Sequence, residues 1–179
     1  MNETLLETLR LAQRLGFFGA APIEAAVEHA HAYVTALGEL RPRSRIVDLG
    51  SGGGLPGLVL AEAFPDCSVL LIDRRTKRTD FLERAVRRLG LENTRVRAGD
   101  VDDLAREVRQ GAQAGFSVVT ARGFGPPELT LRSAAALLAG PGVVVISEPP
   151  SGDRWDPELV AELGFSTERA GSVRVFHHP

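Results

Sequence analysis

Apolar side chains recur three and four apart along the first forty residues, and the pattern changes from residue 45 onward. Leu5, Leu6, Leu9, Leu11, Ala12 and Leu15 mark a helical spacing over 3–15. Gly16-Phe17-Phe18-Gly19 breaks it. Ile23, Ala26, Ala30, Tyr33, Val34 and Leu37 mark a second helix over 22–38, and Arg41-Pro42-Arg43-Ser44 closes that section. Short apolar runs then alternate with helical stripes. Strands are predicted at 45–49, 68–72, 94–98, 116–120 and 143–147. Helices are predicted at 56–64, at 76–89 with Gly90 as the C-terminal cap, at 101–108, and from Pro126-Pro127 to about 138. Gly140-Pro141-Gly142 reads as the turn into the fifth strand. A short helix over 157–163 and a hairpin, 165–169 with 173–176, complete the chain, with His177 and His178 as a mobile end.

This alternation predicts an α/β fold of the Rossmann-like kind: a mainly parallel sheet covered by helices on both faces. Residues 44–179 would form that domain and 1–43 a helical extension. In such sheets ligands bind beyond the carboxyl ends of the strands. The residues there are Asp48 to Leu55, Asp73, Asp100 to Asp102, Arg122 and Ser147-Glu148.

The bulk composition narrows the classes. At 179 residues, 44% hydrophobic and 25% charged, with net charge −2, the chain gives no global signal for a membrane or a polyanion. No apolar run approaches the roughly 18 residues of a membrane span, and the acidic start is unlike a signal peptide. The single cysteine, Cys67, excludes an internal disulfide and suits a reducing cytoplasm. It reads as a small strand residue. Arginine supplies 20 of the 21 cations, so arginine abundance alone is weak evidence for nucleic acid. The charge is uneven, however. Between Asp73 and Arg97 the net charge is +5, against −7 for the rest, and that stretch could track phosphates or be a solvated helix face.

The candidate chemistry centres on Ile46-Val47-Asp48-Leu49-Gly50-Ser51-Gly52-Gly53-Gly54-Leu55-Pro56-Gly57. A strand feeds a glycine turn at the mouth of a helix, where a ligand meets bare backbone and a positive dipole end. Gly52, Gly54 and Gly57 satisfy the dinucleotide spacing. Asp48, two residues before Gly50, favours S-adenosylmethionine instead, because an acid there suits an ammonium group and repels a pyrophosphate. Asp73 ends the second strand, where an acid accepts from a ribose diol of either cofactor. Asp100, Asp102 and Asp103 follow the third strand, near an expected adenine, and several acids suit a sulfonium cation. Plain structural roles also fit. Asp48 could cap the turn, Asp73 could pair with Arg74 or Arg75, Asp102 and Asp103 could be first-turn helix acids, and Arg122 could pair with Asp100 or Asp102. His29 and His31 lie on different helix faces and read as capping or solvated groups rather than metal ligands; no metal site is expected.

Three segments carry a resemblance: Asp48 to Gly57, Leu71-Ile72-Asp73-Arg74-Arg75-Thr76-Lys77-Arg78-Thr79-Asp80-Phe81-Leu82, and Thr120-Ala121-Arg122-Gly123-Phe124. Over about residues 45–148 the chain resembles the glucose-inhibited division protein B family, bacterial methyltransferases acting on guanine N7 of 16S ribosomal RNA. The resemblance implies a seven-stranded class I methyltransferase sheet. It also implies S-adenosylmethionine contacts at Gly50, Leu55, Val101, Asp102 and Arg122, and 16S ribosomal RNA or the small ribosomal subunit as partner. Two departures bear on the substrate. Glu28-His29 stands where the family usually has Arg-His, and Ser147-Glu148-Pro149 where it usually has Leu-Lys-Gly. The expected cofactor set is therefore Asp48, Gly50, Gly52, Gly54, Leu55, Asp73, Val101, Asp102 and Arg122, with Arg122 also as the catalytic residue. A methyltransferase with a small-molecule acceptor, a non-catalytic cofactor-binding relative and a nicotinamide oxidoreductase are the alternatives.

Overall fold

The computed structural model describes residues 2–179. Two N-terminal helices, α1 (Glu3–Arg14) and α2 (Ile23–Leu37), precede four βα repeats and a fifth strand. These run β1 (Arg45–Leu49), α3 (Gly57–Ala63), β2 (Ser68–Asp73), α4 (Thr76–Leu89), β3 (Thr94–Ala98), α5 (Val101–Arg109), β4 (Phe116–Ala121), α6 (Pro127–Ala135) and β5 (Leu138–Ser147). Helix α7 (Pro157–Glu162) and the hairpin β6 (Ser166–Ala170) and β7 (Val173–His178) complete the fold. The sheet has seven strands in the order β3-β2-β1-β4-β5-β7-β6. The first five run parallel, and β7 inserts antiparallel between β5 and β6.

The helices form where caps and stripes coincide. Asn2 accepts the Thr4 N–H to start α1, which buries Leu5, Thr8, Leu9 and Ala12 on one face. Gly90 ends α4 in the left-handed conformation. Two cores flank the sheet. Helices α1 to α4 cover one face with Leu9, Val27, Tyr33, Leu58 and Leu82; α5 to α7 cover the other with Leu104, Leu131, Trp155 and Phe165. The N-terminal helices thus share a core with the sheet.

Two expectations fail at the C-terminal side. β5 begins at Leu138, not Val143, because Gly140-Pro141-Gly142 forms a bulge: Phe116 pairs with Leu138 but Val118 with Val143. Proline without its N–H is tolerated at such an irregularity. His177 and His178 are not a loose end. His177 pairs with both Val143 and Ser166, and the His178 ring packs edge-on against Phe165 at 5.5 Å.

Candidate active site

The carboxyl ends of the strands carry a cavity on one side of the sheet and a cluster of buried polar side chains on the other. On the α5 and α6 side lies a cavity of about 500 Å³, bounded by Gly50, Asp73, Arg78, Gly99, Val101, Asp102, Phe124 and Pro126 among others. Asp73, at the end of β2, accepts the Gly52 N–H at 3.0 Å on Oδ2 and the Arg75 N–H at 2.9 Å on Oδ1. This ties the turn to β2 while Gly52 takes φ +55°. Asp100 caps α5 by accepting the Asp102 N–H at 3.0 Å, which sets Asp102 in the first turn. At Gly50 (φ +62°) a Cβ would stand 3.0 Å from the Phe124 ring, so the aromatic side chain closes on bare backbone.

The polar cluster lies under α2, and strand alternation builds it. Ile46 and Val118 belong to the α1–α4 core while Val47, Leu49, Val119 and Ala121 belong to the other. Asp48 and its β4 neighbour Thr120 therefore turn toward α2. Asp48 is fully buried; Thr120 Oγ1 donates to its Oδ1 at 2.8 Å, and Oδ2 has no partner. Burial pushes this carboxyl up to about 6, with the Thr120 and Ser51 hydroxyls, the Gly57 N–H and then Arg122 opposing the shift. Tyr33 Oη donates to the Ala121 carbonyl at 2.9 Å, and burial raises its phenol. His29 packs edge-on against Tyr33, with Nε2 3.2 Å from the Ser172 carbonyl. That nitrogen carries the donated proton and leaves Nδ1 as a buried, unpartnered acceptor. Burial and then Arg122 depress the imidazolium. Arg122 makes no ion pair among the described residues, and its buried Nη1 has no hydrogen-bond acceptor.

A buried carboxylate oxygen and a buried guanidinium nitrogen, both unpartnered, are costly in isolation. Their complement is one group that carries both an ammonium and a carboxylate. An α-amino-acid end carries both charges, and the cavity of about 500 Å³ is large enough for a nucleoside.

Gly50, Asp73, Val101 and Asp102 border the cavity, whereas Asp48 and Arg122 belong to the polar cluster under α2. Gly52, Gly54 and Leu55 shape the turn instead of lining the cavity. Gly54 takes φ +105°, with a Cβ position only 2.4 Å from Leu58, and Leu55 is buried ahead of a cis bond to Pro56. The sequence reading missed Tyr33, Thr120 and His29; the spacing of four between His29 and Tyr33 was the one available signal. His29 is neither a cap nor a solvated group, while His31 is exposed. Glu148 is also turned inward. It accepts from Trp155 Nε1 at 2.5 Å and sits beside Arg154 and Arg174. Glu28 is exposed. Among the described residues no group of three or more His, Cys, Asp or Glu is placed to hold a metal ion.

The family model described as rRNA small subunit methyltransferase G (GidB) matches residues 13–148. The chain belongs to this family. Relatives named ribosomal RNA small subunit methyltransferase G include one from Acidothermus cellulolyticus, 37% identical over 84% of this chain and 66% of its own length. Another, from Sorangium cellulosum, is 34% identical over 88% of this chain and 65% of its own. A third, from Ralstonia nicotianae, is 40% identical over 65% and 48%. The chain therefore spans about two thirds or less of the length of these methyltransferase G relatives. Solved structures share the fold at low identity. A SAM-dependent methyltransferase from Aquifex aeolicus superposes with TM-score 0.63 at 13% identity, covering 95% of this chain and 97% of that one. A mutant of MtNAS in complex with S-adenosylmethionine gives 0.64 at 15%, covering 99% and 73%.

Proposed function

We propose that this methyltransferase G family member transfers a methyl group from S-adenosylmethionine to N7 of a guanine in 16S ribosomal RNA, in the cytoplasm. The observation that carries the cofactor is the 500 Å³ cavity at the carboxyl ends of the strands, bounded by Gly50, Asp73, Val101 and Asp102; the unpartnered atoms Asp48 Oδ2 and Arg122 Nη1 add to it. Asp48 would face the amino-acid ammonium and Arg122 its carboxylate. Asp73 would accept from the ribose diol, while Val101 and Asp102 border the adenine. The bound sulfonium supplies an electrophilic methyl group. The protein's task is alignment. Guanine N7 has a free lone pair and loses no proton on attack, so no general base is required. Arg122 holds the cofactor's amino-acid end and thereby fixes the methyl group relative to the incoming base.

The RNA reading draws on family membership and on the positive stretch from Asp73 to Arg97, which runs from the cavity mouth along α4. A second reading, a methyltransferase of the same fold with a small-molecule acceptor, is favoured by exposed Glu28, where the resembled family usually has an arginine. The test is transfer of labelled methyl from S-adenosylmethionine to small ribosomal subunits, and to naked 16S rRNA, from cells lacking the modification. Label recovered as 7-methylguanine is the expected result. No label in either acceptor, with cofactor binding intact, would remove the RNA reading.

A further inference from the structure

Arg78 stands between the cofactor carboxylate and the basic surface. The Asp73 carboxylate offers about four lone-pair positions. Backbone donors, the N–H groups of Gly52 and Arg75, hold two of them. Arg78 Nη1 takes a third at 3.4 Å, the long end of hydrogen-bond range. Bidentate recognition of a vicinal diol needs two positions, so one present donor must leave. The backbone donors are fixed by the glycine turn and the start of α4. The Arg78 guanidinium is on a flexible stem, 25% exposed, and leans on the Phe17 ring at 5.9 Å.

Arg74, Arg75 and Lys77 beside it are exposed and make no ion pair among the described residues. Arg75 is the N-cap of α4 and Arg78 lies in its first turn, so both stand at the start of this helix beside the cavity. We propose that Arg78 occupies Asp73 in the cofactor-free protein, and that a ribose diol releases it to become an added phosphate contact for RNA. This rests on the function proposed above. It links the two ligands: cofactor strengthens RNA binding, and RNA strengthens cofactor binding by the same factor.

The probes are S-adenosylhomocysteine, which cannot transfer a methyl group, and an unmodified small-subunit rRNA transcript read by fluorescence anisotropy. In the wild type, saturating S-adenosylhomocysteine should tighten transcript binding by roughly fivefold. One added phosphate contact should steepen log K against log salt by about 0.7–0.9. In Arg78→Gln both effects should vanish, while S-adenosylhomocysteine alone binds at least as tightly as to the wild type, which also reports an intact fold. Coupling retained in Arg78→Gln, or weaker S-adenosylhomocysteine binding by that variant, overturns the proposal. So does absence of coupling in a wild type that binds both ligands. Failure of the wild type to bind one of them instead overturns the proposed function beneath it.

Discussion

Replacing Asp48 by Asn should change the pH dependence of stability in a specific direction. Asp48 is fully buried, with its carboxyl pushed up to about 6 from an ordinary 3.8. Between those values the folded chain binds more protons than the unfolded one, so this group's contribution falls as pH rises. It is fully present below about 3.8 and lost above about 6. The gap corresponds to about 3 kcal/mol, at 1.36 kcal/mol per pH step. Asn cannot titrate, and whatever it costs in hydrogen bonding to Thr120 does not vary with pH. Urea unfolding of both proteins from pH 4 to 8 isolates the effect. Wild-type stability minus variant stability should fall by about 2.4 kcal/mol between pH 4 and 7 and then level off. Saturating S-adenosylhomocysteine should shrink that fall, because an ammonium beside Asp48 favours its charged form. A difference that stays flat or grows with pH refutes the reasoning.

Three further outcomes follow from neighbouring geometry. Arg122→Met should retain the fold but weaken S-adenosylhomocysteine at least about tenfold by calorimetry, since a charged hydrogen bond of about 1.5–3 kcal/mol is lost, and abolish detectable methyl transfer. At Gly53 a Cβ would stand 2.5 Å from the Phe18 ring, so Gly53→Ala should destabilise by about 1–3 kcal/mol. Phe18→Ala should remove most of that added cost in a double-mutant cycle. Glu148→Lys should lower the unfolding midpoint by about 10 °C, since it exchanges a buried anion for a cation beside Arg154 and Arg174 at a cost of about 3 kcal/mol or more. Thermal unfolding checks it.

What the sequence revealed and concealed divides along contact distance. The first four strands and the Gly90 cap were legible because each is written in consecutive residues. Asp73 was legible as a strand-end acid, though not its grip on the Gly52 N–H across 21 residues. The Asp48–Thr120 bond spans 72 residues and the His29–Ser172 contact 143, so neither leaves a local trace. Strand alternation turns Asp48 and Arg122 toward the side under α2 while Asp102 borders the cavity, and only strand order reveals that separation. Glu148 looked like a lost surface cation because Arg174, on β7, joins it only after the hairpin folds back onto β5. The β5 bulge was hidden because Gly-Pro-Gly has the same composition in a turn and in an interrupted strand.

Diffraction from the chain with S-adenosylhomocysteine bound addresses the site most directly. Density should place the ribose hydroxyls within hydrogen-bond distance of Asp73 and the amino-acid end between Asp48 and Arg122, with Arg78 turned away from Asp73. Density elsewhere, or a ribose bound with Asp48 and Arg122 still unpartnered, would contradict the site described for this fold.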